Sequence, residues 1–276
     1  MCYLTNGKHF GFYLSFGTVM LLLFTTVPVV LVLGFAGAVA RRSQLFPVRW
    51  LGLIYTSMVR GVPDIIFFLF ALIAVDQGIE YLRHQYFCPD WPDAIRQGND
   101  FVVCARAKMP LSASAEWVHK TYSFFQAVFA FAIVFGAFAA NTIFGAMNAV
   151  PHAQLETAEA YGMTRNQVFR RILMPQMWVY ALPGLSNLWM IFVKATPLLF
   201  LLGIQDIVYW ARELGGTKTA VFAYPHPDWR LWYFLGLLVF YLFLTWISEK
   251  VFARLMVRLS HGQATLAGEA QRKAAA

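Results

Sequence analysis

Between Phe12 and Ala40 the sequence carries no acidic or basic side chain. A helix needs about 20 apolar residues to cross the hydrocarbon layer of a bilayer, and this run exceeds that length. Four more reach it: Leu51–Val75, Tyr122–Ala149, Met177–Leu202 and Trp229–Leu255. The runs predict an all-α membrane protein with about five transmembrane helices. Composition agrees, since 13% of the residues are charged against roughly 25% in ordinary soluble domains. Residues 1–260 read as one transmembrane domain. The first run is too long for the apolar part of a signal peptide and has only Lys8 and His9 as basic residues ahead of it, so it is expected to stay in the mature chain.

Orientation follows from the connections. Arg41, Arg42 and Arg49 lie between runs one and two without an acid to balance them. Arg165, Arg170 and Arg171 lie between runs three and four, and Lys250, Arg254 and Arg258 lie at the end of run five and just beyond it. Cytoplasmic segments are the ones enriched in Lys and Arg, which predicts the N-terminus outside and the C-terminus inside. The net charge of +8 is spread over these flanks and forms no single patch for nucleic acid.

The second connection, residues 76–121, is external on this reading and enlarged, too long for a simple turn. It holds Cys88 and Cys104. An external, oxidising setting permits a disulfide between them, and two free thiols are the alternative. Residues 261–276, rich in Ala, Gly and Gln, read as a disordered cytoplasmic tail.

The third connection, residues 151–175, carries the most local information. Prolines bound it, and proline suits helix ends better than interiors. Ala153–Tyr161 contains good helix formers and runs into Gly162, a left-handed stop. Thr164 with Gln167 three residues on forms a capping-box signature for a second helix, in which Val168, Phe169, Ile172 and Leu173 share a face. This helix–glycine turn–helix either lies on the bilayer surface or inserts into a partner.

A resemblance bears on that choice. Glu156-Thr157-Ala158-Glu159-Ala160-Tyr161-Gly162, followed by Ile172 and Pro175, resembles the "EAA" loop of ATP-binding-cassette importer permeases, E-A-A-x-x-x-G and then I-x-x-P, with Thr157 in place of one Ala. Tyr55 with Arg60-Gly-Val-Pro-Asp64, and Asn187 with Lys194-Ala-Thr196, resemble further segments of the polar-amino-acid permeases, most closely the histidine/lysine/arginine/ornithine and opine branch. The resemblance covers nearly everything from Thr18 to Leu259 apart from the external loop. It implies a type I importer permease in the bacterial inner membrane, one of two identical or related permeases. Two cytoplasmic ATPase subunits would receive the Glu156–Gly162 helix, with Arg165 and Pro175 completing the coupling segment, and a periplasmic solute-binding protein would deliver the solute. ATP and magnesium would belong to the ATPases, with no cofactor in this chain.

Charges inside the runs are costly and usually functional. Arg60 and Asp64, four residues apart with Gly61 and Pro63 between them, read as an ion pair across one helix turn or as part of a gate. Asn187 and Lys194 lie two turns apart on one face, and Asn141, Asn187, Lys194 and Thr196 are the candidates for a solute path, with a structural role the alternative for Lys194. In run three the family often shows a glutamate with an arginine three residues later. Those places are Asn141 and Phe144 here, so a solute cation would lack that acid in this subunit.

Other chemistries find little support. Gly215-Gly216-Thr217-Lys218-Thr219 lacks the glycine that a phosphate loop requires directly before its lysine, and a glycine turn is expected instead. His9, His84, His119, His152, His226 and His261 are scattered without metal-ligand spacing. An intramembrane enzyme would need paired catalytic groups within the runs, and a passive channel would not need the 151–175 loop.

Overall fold

The computed structural model describes residues 7–93, 95–97, 100–111, 113–202, 204–219, 221–222 and 224–259, apart from the side chains of 59–61, 64 and 200–202. The readings of residues 261–276 and of the Arg60 and Asp64 side chains lie outside the described residues.

Helix α1 (Gly7–Arg42) is the first apolar run, extended at both ends. The second run is not one helix. It divides into α2 (Phe46–Gly61) and α3 (Asp64–Phe87), separated by Val62 in extended conformation and Pro63. The proline ring clashes with a helical residue before it, which pushes Val62 to the extended region. Arg60 and Asp64 therefore sit on two helices, which corrects the expectation of a shared helix turn. Helix α3 also continues twelve residues past Val75, so the part of this connection that is not helical is 88–115, shorter than expected.

That segment forms a small cap on the end of α3. A two-residue antiparallel hairpin pairs β1 (Arg96–Gln97) with β2 (Asp100–Phe101). Val103, Cys104 and Ala107 are buried with Ile95, Phe101 and Cys88 around them. Cys88 and Cys104 are joined by a disulfide, with Cα atoms 6.7 Å apart. Helix α3 holds the cap by side chains: Arg83 Nε donates to Ala107 O at 3.1 Å, His84 Nδ1 accepts from Cys104 N at 3.1 Å, and Glu80 Oε1 accepts from Met109 N at 3.2 Å.

Helix α4 (Glu116–Ala149) is the centre of the bundle and packs against α1, α2, α3 and α7. Phe131, Ile143 and Met147 are fully buried on it. Its contact with α1 is close because both surfaces are small: a Cβ at Gly34 would lie 2.7 Å from Ala139 Cβ. Small residues let helix backbones approach, which is how helices gain packing energy in lipid.

After α5 (His152–Ala160) and α6 (Arg165–Gln167), a π-helical segment over Val168–Leu173 leads into α7 (Met174–Ala195). A 3-10 stretch (Thr196–Leu202), α8 (Ile207–Gly215) and α9 (Arg230–Leu259) complete the chain. Among the described residues, α1, α3, α4 and α9 are long and apolar enough to cross a membrane by length and composition. Helix α7 is not among them. It carries Pro183, Ser186, Asn187 and Lys194, and it packs between α4 and α9. The segment that resembled a phosphate loop is the end of α8 and a bridge between Lys218 and His226, with Lys218 Nζ 2.9 Å from Glu213 Oε1.

Candidate functional site: a coupling loop and a polar cavity

The loop between α4 and α7 is shaped by local bonds that the sequence announces. Helix α5 stops at a complete Schellman turn. Met163 N donates to Ala158 O at 3.1 Å and Gly162 N to Glu159 O at 2.9 Å, while Gly162 takes a φ of +82°. A side chain at that φ is strained, whereas glycine adopts it freely. Two residues later the capping box closes: Thr164 N donates to Gln167 Oε1 at 2.9 Å and Gln167 N to Thr164 Oγ1 at 3.4 Å.

One face of this unit rests on the bundle. Ala158, Val168 and Leu173 are buried, and Leu155 and Phe169 are half-buried against the core. Glu156, Thr157, Glu159 and Ala160 are exposed, as are Arg165 and Pro175, and Tyr161 at the tip is 85% exposed. A nine-residue helix with one fully buried residue gains little from its own chain. Isolated helices of that length are marginal in water, so the Schellman turn and capping box do the holding. The second helix departs from expectation: beyond Gln167 its turns widen into the π form.

Helices α4 and α7 also border a cavity of about 530 Å³ that is open to the surface, with Asn148, Asn187 and Ile191 of its wall exposed. Asn141, Thr142, Gly145 and Asn148 face it from α4, Gly184 and Asn187 from α7, and Arg41 from the last turn of α1. Asn141 is held on both sides. Its Oδ1 accepts from Arg41 Nη1 at 2.7 Å, and its Nδ2 donates to Thr56 O at 3.0 Å. The Arg41 guanidinium lies 3.9 Å from the centre of the Phe144 ring, a cation–π contact.

Of the four residues assigned to a solute path, the structure brings Asn141 and Asn187 together at this cavity. Lys194 is exposed, continuing the face of Asn187 and Ile191 beyond the residues that line the cavity. Thr196 is buried elsewhere. Its Oγ1 donates to Val193 O at 2.9 Å and shares a 2.8 Å hydrogen bond with Tyr241 Oη of α9, a packing tie between helices. Sequence reasoning passed over Arg41, read only as an orientation charge, and Thr142 and Asn148. The spacing of Asn141, Gly145 and Asn148, four then three, was the available signal for a polar helix face.

Comparison with known proteins agrees with this architecture. The chain is 31% identical over 242 residues to the histidine/lysine/arginine/ornithine transport system permease protein HisQ of Escherichia coli K12, covering 86% of this chain and 88% of that one. It is 28% identical to the arginine ABC transporter permease protein ArtQ of the same organism, over 80% of this chain and 83% of that one. It is 27% identical to the octopine transport system permease protein OccQ of Agrobacterium tumefaciens, over 88% and 87% of the two chains. Among solved structures, that of an amino acid ABC transporter with histidines superposes with a TM-score of 0.63 at 19% identity, over 93% of this chain and 98% of that one. The sequence profile of the family described as the binding-protein-dependent transport system inner membrane component matches residues 31–260, and the chain belongs to that family.

Proposed function

We propose that this permease passes a polar amino acid or a related opine, delivered by a periplasmic binding protein, across the bacterial inner membrane, and that α5 couples it to separate ATPase subunits. The solute class is supported by the relatives, which are histidine/lysine/arginine/ornithine, arginine and octopine permeases. The observation that carries the coupling role is the exposed outer face of α5, fixed between the Gly162 turn and the Thr164 cap yet nearly unburied by its own chain. A rigid, exposed helix on the basic side of the bundle suits a groove in a partner.

Two ATPases, each carrying ATP and magnesium, engage two permeases, of which this chain is one and the second is a copy or a homologue. The chain itself hydrolyses nothing. The N-terminus faces outside and the C-terminus the cytoplasm, as the arginine distribution supports. Coupling requires α5 to bind the ATP-bound and ATP-free ATPase dimers with different affinity, since only differential binding moves an equilibrium.

Co-purification tests the reading. The ATPase is expected to remain bound to wild type through detergent extraction and to be lost from Gly162→Asp, whose backbone disfavours the +82° turn. Full retention of the ATPase by Gly162→Asp would remove the loop from the coupling role.

A further inference from the structure

We propose that an apolar groove between α1, α7 and α9 is a phospholipid site, which takes one acyl chain and binds its ester carbonyl through the Trp189 indole. Neither the solute nor the ATPase takes part in it.

The groove has a volume of about 240 Å³ and shares only Leu188 of its described wall with the polar cavity. Its floor is buried, with Val30 from α1, Phe135 from α4, and Leu185 and Phe192 from α7. Its rim, with Val27, Trp189 and Phe252, is half-buried, so the groove opens on the outside of the bundle. Every side chain that lines it is aliphatic or aromatic. Apolar cavities stay dry, and an empty one forfeits dispersion contacts along its walls. A polar solute would leave its charges unpaired there, and a partner helix, about 10–12 Å across, is too wide. A hydrocarbon chain fits, and the bilayer around a permease supplies it.

One atom asks for more than hydrocarbon. Trp189 Nε1 is buried and has no hydrogen-bond partner among the described residues, although an indole N–H enclosed in protein ordinarily finds an acceptor. The ring is set beside Phe192 and Phe252, with centroids 6.2 and 6.5 Å away. Phe252 falls in sequence between Lys250 and Arg254, both exposed. Basic side chains at the end of an apolar span mark where the helix leaves the hydrocarbon layer, and phospholipid ester groups lie at that boundary. An ester carbonyl at Trp189, with its chain running past Phe192 toward Val30 and Phe135, meets both the donor and the apolar walls.

Photocrosslinking tests the site. The full-length permease in detergent is mixed with a phosphatidylethanolamine that carries a diazirine on its acyl chain, and adducts are mapped by peptide mass spectrometry. Adducts are expected to concentrate on the groove peptides of α7 and α9 and to be sparse on the exposed face of α3 around Ile66 and Phe70. Unlabelled ester-linked phosphatidylethanolamine is expected to compete about fivefold better than its ether-linked analogue, the ratio that one neutral hydrogen bond supplies. Trp189→Phe is expected to keep the adducts and lose that ester preference, while Leu185→Trp, which fills the floor, loses the adducts. Monodisperse elution on size exclusion checks folding, and Val27→Phe, which narrows the rim, replaces Leu185→Trp should that variant aggregate. Adducts spread evenly over α3 and the groove, or unchanged when the groove is filled, mean boundary lipid only and overturn the site. Equal competition by the two lipids in wild type, or an ester preference that survives Trp189→Phe, overturns the Trp189 bond and the proposal with it. None of these outcomes bears on the coupling role of α5.

Discussion

At the residue scale, Asp206 shows how an ordinary capping role acquires a pH dependence. Its Oδ1 caps α8 by accepting from Tyr209 N at 2.8 Å, while Oδ2 has no hydrogen-bond partner among the described residues, and the side chain is fully buried. Burial pushes its pKa up from 3.8 to about 6, against the lowering effect of the backbone bonds. The folded chain thus binds this proton more tightly than the unfolded chain. The associated stability is complete below 3.8 and is lost as pH climbs through about 6. At about 1.4 kcal/mol per unit, the effect is at most ~3 kcal/mol. Thermal unfolding in detergent should give a higher midpoint at pH 5 than at pH 8, and Asp206→Asn, which keeps the acceptor oxygen, should remove Asp206's share of that difference. An equal difference in Asp206→Asn would assign the effect to other groups. Residue roles were unevenly legible in the sequence. Thr164 and Gly162 act through bonds within five residues, so their spacing sufficed. Arg41 acts through α4, a hundred positions away, and nothing adjacent to it indicates which way a side chain at a helix end will turn.

On the proposed coupling role, the π segment is the element through which a movement of α5 would reach the bundle. It lies directly between α6 and α7, and α5 packs on it. Wide π turns are tolerated where a functional register outweighs the cost of looser hydrogen bonds. Adding one residue, as in insertion of Ala after Arg171, should lengthen the segment by one helical residue. At α-helical geometry that change would rotate α5 about 100° relative to α7 and lengthen the connection by about 1.5 Å. Solute-stimulated ATP hydrolysis by the reconstituted complex is expected to fall to the unstimulated rate, while the permease still inserts and extracts normally. Stimulation unaffected by the insertion would show that the register is unimportant. The sequence gives no view of this segment, because six residues cannot separate a π period from an α period when Val168 and Leu173 are buried in either. The break at Val62 was visible as Pro63, but its size was not: a kinked helix and two separate helices share the same residues.

For the whole molecule, the apolar runs made the class and the main helices readable, since length and polarity alone decide what can cross lipid. Helix α7 shows where that reading thins. Its polar face, Asn187 and Lys194 included, lowers its hydropathy, and its place in the bundle comes from packing against α4 and α9. The cap over 88–115 was visible only as an over-long connection, because its order comes from a few side-chain bonds to α3 and a disulfide. On the proposed coupling role, α5, at the opposite end, is exposed on this chain because an ATPase covers it in the assembled transporter. Labelling at Tyr161, the most exposed residue of the loop tip, tests this most directly. Tyr161→Cys is made together with Cys2→Ser, in membranes containing the permease alone and in membranes containing the permease with its ATPase, and a membrane-impermeant maleimide is supplied from the cytoplasmic face. Rapid labelling of the permease alone, and much slower labelling with the ATPase assembled, as exclusion of solvent from an interface core requires, is the predicted result. Equal labelling with and without the ATPase, or labelling only from the external face, would contradict the account.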